Sequence, residues 1–508
     1  MRNVRMALPR VAGLLALMSA TQLAASKTVS APTARIEPID CAKLSTVAPG
    51  QKATCGFLLV PENRSVAKSP TLRLPFLILR SRSTTPKPDP VLFMSGGPGN
   101  STIRTRISGR GIPMLDERDY ILFEQRGAKL AQPSLPCEEW GRVEVEAALG
   151  NISGSEVAHR KLAASKTCAD RAWASGIDLN MYNSTEAARD VNDLRRALGL
   201  EQLNLYGLSY SAGIMLRVAR DFPRSVRSIV LNSPLPIEVN FDEQGAAGLL
   251  RSLEMIFASC ALNDACARAF PNPRAQMIET IARADREPIA LDVPSPDTEG
   301  RIVRVVARGR AVADALLNAL NDTEQMEVLP RTIDQVYRRD YHALASLVSV
   351  GPSNYSWLMR LAVWCNEETP FEDWNRVDAQ RESQYAEFGL SEPEVHPAGV
   401  CASMRLGNVK PRAIENQPVV TDVPVLVING ELDPYTPVPW GRQMLISLSK
   451  GYHIVVPGET HGAGFSRCPS LISAQFYVDP THAPDASCLM TAHGLDIAKA
   501  AQLEKPAT

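Results

Sequence analysis

Short, nearly continuous apolar runs bounded by turn residues recur along this chain, and they restrict its fold more than any other feature. Phe57–Val60, Leu72–Leu79, Val91–Met94, Tyr120–Phe123, Leu203–Tyr206, Val226–Leu231, Val425–Ile428 and His453–Val456 all have this character. A strand with one wet face alternates apolar and polar residues. A run without alternation needs burial on both faces, which predicts a mostly parallel sheet covered by helices, the α/β class. Between the runs, Ala187, Val191, Leu194 and Leu198 form a helical stripe that stops at Gly199. Ala212 to Phe222 reads as another helix, ended before Pro223. From about Ile237 to Gln417 helix-like stretches dominate, such as Asp242–Cys260, Arg274–Arg286 and Ala311–Leu320, and strand signals return at Val425. The expected organisation is a core in two parts, 40–236 and 418–500, around a mostly helical cap insertion over 237–417.

A length of 508 residues suits such a core plus insertion. A net charge of -1 gives no field that would select nucleic acid or an anionic membrane. Arg2, Arg5 and Arg10, the apolar run Val11–Met18 and the small residues Ala24, Ala25 and Ser26 read as an export signal over 1–26, cleaved around 25–31. No later stretch stands out as a membrane helix. Ten cysteines with no Cys-x-x-Cys pair point to up to five disulfides in an oxidising compartment rather than to a metal site. Their connectivity does not follow from sequence; neighbour pairing, as of Cys260 with Cys266, is the simplest by loop length. The expectation is a secreted or periplasmic protein with no cofactor, no nucleic-acid partner and no stable membrane insertion.

The chemistry concentrates in three loops. Gly207-Leu208-Ser209-Tyr210-Ser211 lies between a strand and a helix, where a tight turn exposes a nucleophilic hydroxyl at the sheet edge. Ser95-Gly96-Gly97-Pro98-Gly99 follows another strand, so the N–H groups of Gly97 and Tyr210 are candidate donors to an oxyanion. Asp433 follows the Val425–Ile428 strand and is the candidate acid, with Glu431 its rival; His461, beside Gly462 after the last strand, is the candidate base. His453 lies within that strand and is expected to pack. The chain order Ser209, Asp433, His461 is that of one class of serine hydrolases.

With these motifs the sequence resembles the secreted tripeptidyl aminopeptidases and their proline iminopeptidase relatives, serine exopeptidases of the α/β-hydrolase superfamily. The resemblance extends to Val60-Pro61-Glu62-Asn63, to Glu124-Gln125-Arg126-Gly127 where relatives show Asp-Gln-Arg-Gly, and to Asp433-Pro434-Tyr435-Thr436-Pro437. Ser95 stands for a usual His, Glu124 for Asp and Ser211 for Gly. The resemblance implies an eight-stranded α/β-hydrolase sheet with a helical cap, and release of short peptides from a free N-terminus. It also identifies Glu367, in Trp364-Cys365-Asn366-Glu367-Glu368, with an acidic anchor for the substrate ammonium; Glu368 is the second candidate. An esterase, lactonase or amidase for a non-peptide small molecule is the alternative, and a binding protein without catalysis is a remoter one.

Overall fold

The computed structural model describes residues 34–502, apart from 105–110, 151, 296–300, 352–354, 381, 383–385, 389–394, 408–410 and 493. The leader expected over 1–26 lies outside the described residues. The apolar runs form strands: β1 (Arg35–Ile39), β2 (Ala53–Pro61), β3 (Thr71–Leu79), β4 (Val91–Met94), β5 (Tyr120–Phe123), β6 (Leu203–Leu208) and β7 (Val226–Asn232). The hairpin β8 (Ile289–Pro294) and β9 (Ile302–Ala307) follows, then β10 (Val425–Gly430) and β11 (Gly451–Val456). The main sheet has nine strands in the order β1-β2-β3-β5-β4-β6-β7-β10-β11, one more than expected. The addition is the edge strand β1, antiparallel to β2, which the Cys41–Cys55 disulfide fastens beside it. From β5 to β11 every neighbouring pair is parallel. Every residue of β4, β5 and β10 is buried, as continuous apolar runs require.

Helices α1 (Glu138–Ala148), α2 (Gly154–Ala174), α3 (Ser184–Ala197) and α4 (Ser211–Asp221) precede β7. Between β7 and β10 come α5 (Phe241–Leu262), α6 (Asp264–Ala269), α7 (Pro273–Arg286), α8 (Gly309–Asn318), α9 (Thr323–Tyr337), α10 (His342–Leu347), α11 (Trp357–Glu367), α12 (Trp374–Gln380) and α13 (Pro397–Ser403). Only α14 (Val438–Met444) divides β10 from β11, and α15 (Arg467–Val478) follows.

The insertion packs in two places. α5 and α7 to α10 close an apolar core of their own with the β8–β9 hairpin, around Leu253, Ile281, Leu316 and Leu329. α11 and α13 join the sheet's core through Leu358, Met359, Ala362 and Val400. The hairpin was not anticipated, although Ile289–Pro294 alternates buried and exposed residues along its whole length. α5 also corrects the sequence reading: its 22 residues are long and apolar enough to span a bilayer by length and composition alone. Here Leu253, Ile256 and Cys260 are buried among the cap's apolar residues.

All ten cysteines form disulfides, each with its neighbour in sequence: Cys41–Cys55, Cys137–Cys168, Cys260–Cys266, Cys365–Cys401 and Cys468–Cys488.

The crossing from β6 to α4 is tight. A Cβ on Gly207 would stand 3.0 Å from the Ala212 backbone nitrogen and 2.9 Å from Met215 Cγ. Gly207→Ala is therefore expected to destabilise the fold by about 1–3 kcal/mol, the usual cost of overpacking. The midpoint of urea unfolding measures this, and an unchanged midpoint would mean that strand and helix separate freely.

Candidate active site

Ser209 sits in the left-handed region, at φ 56°, a conformation a β-substituted residue adopts only when its surroundings impose it. Its N–H donates to Asn232 O (2.9 Å), and its carbonyl accepts from Ala212 N (3.0 Å) and Leu235 N (3.2 Å). Ser211, which stands where relatives carry glycine, strengthens the turn. Its hydroxyl donates to Met94 O of β4 (2.6 Å) and accepts from Leu208 N (2.9 Å).

The glycine loop lies directly against this serine. A Cβ on Gly96 would be 2.8 Å from Ser209 Cβ and 3.3 Å from its Oγ. Gly97, at φ 117°, has a conformation that favours glycine. Among the described residues neither Gly97 N–H nor Tyr210 N–H has an acceptor. Unpaired backbone donors beside a nucleophile suit an oxygen that gains charge during reaction.

Two side chains pin the carbonyls on either side of the Gly96–Gly97 peptide. Gln125 Nε2 donates to Ser95 O (2.7 Å), and Arg360 Nη1 of α11 donates to Gly97 O. Arg360 lies over the rings of Tyr355 (4.8 Å), Trp364 (5.3 Å) and Trp357 (5.9 Å). Ser356 N adds a bond to Gly99 O (2.9 Å), so the start of α11 is docked on the loop. Sequence reasoning noted Gln125 only as part of a motif and missed Arg360, whose one local signal is the cluster of aromatic residues around it. The rest of the Glu124–Gly127 motif is architectural. Glu124 accepts from Ile103 N (3.2 Å) and Leu130 N (3.3 Å), and Arg126 grips both Asp190 oxygens at 2.8 Å.

Asp433 is fully buried and meets His461, with Nδ1 at 2.9 Å from Oδ2 and 3.0 Å from Oδ1. It also accepts from Tyr435 N and Thr436 N (2.9 Å each) and from Thr436 Oγ1 (2.7 Å). Burial alone would raise its pKa; the His461 charge and these hydrogen bonds hold it below the ordinary value instead. Glu431 is occupied elsewhere, accepting from Gly458 N (2.8 Å) in the turn before His461. His453 packs in β11 against Asn429 (3.0 Å), and burial and Arg442 push its pKa down to about 4. The His461 loop is tied to the residue after β7 through Gly462 N, which donates to Ser233 Oγ (2.8 Å), to β7 itself through Gly464 N, which donates to Asn232 Oδ1 (2.9 Å), and to the turn after α8 through Thr460 Oγ1, which donates to Leu320 O. Among the described residues no hydrogen bond joins His461 to Ser209 Oγ; such contacts commonly tighten only with substrate bound. The arrangement has the parts that acyl transfer needs: a serine in a strained turn, an acid-oriented imidazole and unpaired N–H donors.

The far end of α11 carries acids. Glu367 accepts from Ser184 N and lies 3.5 Å from Arg217, while Ser184 Oγ donates to the Tyr210 hydroxyl (2.7 Å). Glu367 is thus committed to neighbours, although burial still lifts its pKa. Among the described residues the Glu368 carboxyl has no hydrogen bond or ion pair of this kind. Burial, then the charges of Glu367, Glu372 and Asp242, push its carboxyl well above the usual range. Glu372 caps α5, accepting from Asp242 N (2.9 Å) and Glu243 N (3.2 Å); burial and Asp242 push it up to about 8.

The family described as alpha/beta hydrolase fold matches residues 89–269, and that described as TAP-like protein matches residues 392–488. The serine protease Hip1 of Mycobacterium tuberculosis is 24% identical over 447 residues, 81% of this chain and 82% of its own. The putative hydrolase YuaR of Escherichia coli is 30% identical over 194 residues, 36% of each chain. The tripeptidyl aminopeptidase of Streptomyces lividans is 27% identical over 190 residues, 35% of each.

Two outcomes are expected. Ser209→Ala and His461→Ala lose turnover by several orders of magnitude, while His453→Ala keeps it and loses stability at most. Hydrolysis rates measured beside fluorophosphonate labelling check this; an active His461→Ala would shift the base elsewhere. Glu372 titrates in the folded state near 8 rather than at its ordinary 4.5. Its raised pKa favours the folded state below pH 4.5, and this contribution is lost as pH rises through 8. Glu372→Gln should flatten that part of the Tm-against-pH curve, and identical curves for the two proteins would remove Glu372 as its source.

Proposed function

We propose that this α/β hydrolase is a serine exopeptidase that releases short peptides from free N-termini. Ser209 attacks the scissile carbonyl as His461 takes its proton, and Asp433 orients and stabilises the imidazolium. The N–H groups of Gly97 and Tyr210 hold the oxyanion. His461 then protonates the leaving amine, and water frees the acyl-enzyme.

The observation that carries this reading is the span of α11. Arg360 meets the oxyanion loop, and Glu368 caps the same helix eight residues later. At 1.5 Å per residue the separation is about 12 Å. An extended peptide advances about 3.3–3.6 Å per residue, so an ammonium at the acidic end lies roughly three residues before the scissile carbonyl. Glu368 is the better partner for that ammonium, because Glu367 is already bonded to Ser184 and Arg217. A carboxyl crowded by other acids gains most from a cation, which relieves the repulsion as it binds. An ester or lactone substrate brings no cation and has no use for these acids. Similarity to a serine protease and to a tripeptidyl aminopeptidase agrees with the reading, and five disulfides support export to an oxidising compartment.

Glu368→Gln is expected to lower kcat/KM for free-amine tripeptidyl arylamides by about 10- to 100-fold, the range for a lost charged hydrogen bond. Simple esters should be hydrolysed as before. N-acetylation of the peptide should harm the wild type far more than the variant. Equal losses on esters and free-amine peptides would assign Glu368 to structure and leave the anchor without a residue.

A further inference from the structure

A cavity lies beyond the end of α11 that is opposite the acids. Its two walls are α1 and α8, and contacts at both ends fix how they run. At the near end, Trp140 of α1 packs on Trp357 (ring centroids 5.5 Å), which packs on Tyr355 (5.3 Å). Tyr355 in turn lies beside Gly97, whose Cβ would stand 3.5 Å from the ring. α8 continues through a 3-10 turn, Ala319–Asn321, and Asn321 hydrogen-bonds the Tyr435 hydroxyl. The Tyr435 ring stands edge-on to His461 at 5.4 Å. At the far end the chain after α1 meets the strand before α8: Val306 N donates to Leu149 O (3.0 Å), and Gly150 packs on the Val306 carbonyl. The start of α1 is therefore joined to the glycine loop through Trp357 and Tyr355, the end of α8 is joined to His461 through Asn321 and Tyr435, and both helices lead away from these contacts.

Between them the cavity has a volume of about 320 Å³. Ala147 and Ala148 from α1 and Ala311 and Ala315 from α8 line it together with Glu144 and with Asp314, which is paired with Arg310, and Arg308 stands exposed at the outer end. Along α11 the order is Glu368, then Arg360 against Gly97, then Trp357 against Trp140. A chain that starts at the acids and passes the glycine loop is directed towards Trp140, which donates to Glu144 (3.2 Å) in the cavity wall.

We propose that this cavity is a binding site for the leaving segment of the substrate, the peptide that follows the scissile bond. This rests on the exopeptidase reading above. The lining stretch from Asn318 back to Arg308 is ten residues, about 15 Å of helix, which accommodates about four extended residues. The four alanines leave room for a backbone with small or apolar side chains. The Arg308 guanidinium favours a carboxylate at the distal end, such as the C-terminus of an oligopeptide.

The test compares a tripeptidyl arylamide, which has no residue beyond the scissile bond, with peptides that carry the same three residues followed by one to six alanines. Wild-type kcat/KM should rise by about tenfold as the leaving segment grows to about four residues, and then level off. Ala311→Trp and Ala147→Trp should abolish the rise while arylamide turnover stays within about twofold. Arg308→Glu should weaken turnover of peptides with a free C-terminal carboxylate but not of their amides. Urea unfolding and fluorophosphonate labelling establish that each variant is folded; Ala311→Leu and Arg308→Glu carry the test if the tryptophan variants are not. A wild type indifferent to leaving length, or filled variants that keep the rise, would overturn this role for the cavity and leave the exopeptidase reading standing. A wild type that hydrolyses esters and no peptide would overturn both.

Discussion

The left-handed turn at Ser209 is the constraint around which the rest is arranged. A serine at φ 56° is strained, and such strain persists only where the surroundings outweigh it. Here β7 holds the Ser209 N–H, α4 grows from its carbonyl, Ser211 ties the turn to β4, and the glycine loop closes over the side chain. Each contact comes from a different part of the sheet. The buried parallel core fixes those parts relative to one another, so the burial of β4, β6 and β7 is also what poises the hydroxyl.

α11 gives the site its length. Its first turn is docked on the glycine loop through Ser356 and Arg360, and its last turn presents two glutamates of different fates. The burial of Leu358, Met359 and Ala362 binds this helix to the sheet's core and the Cys365–Cys401 disulfide ties it to α13, whereas α5 and α7 to α10 have a core of their own. Through α11 the stretch between β7 and β10 contacts the glycine loop beside Ser209 directly. The His461 loop makes the same connection from the other side, through Leu320.

The acids at the end of α11 illustrate how environment assigns roles to identical side chains. Glu367 and Glu368 are adjacent in sequence, yet one is bonded to Ser184 and Arg217 and the other faces Glu372 and Asp242. Both are lifted in pKa by burial. Among the described residues only the second has no partner to offset that cost, which would make it the more responsive to a cation.

The strands, the strand–turn–helix around Ser209 and the order Ser209, Asp433, His461 were legible in the sequence by itself. They depend on neighbours along the chain: a continuous apolar run needs burial wherever it lies, and a tight turn needs small residues at fixed offsets. Alternation in Ile289–Pro294 was equally legible and was overlooked within a helical context. Other matters only the tertiary structure decided. That Asp433 rather than Glu431 meets His461, that Arg360 reaches Gly97 across 263 residues, that Glu367 rather than Glu368 is bonded to Ser184 and Arg217, and that α1 and α8 line one cavity are all facts about segments remote in sequence. Local periodicity determines which face of an element is buried, but not which distant side chain it is buried against. That pairing is settled by packing the whole chain at once.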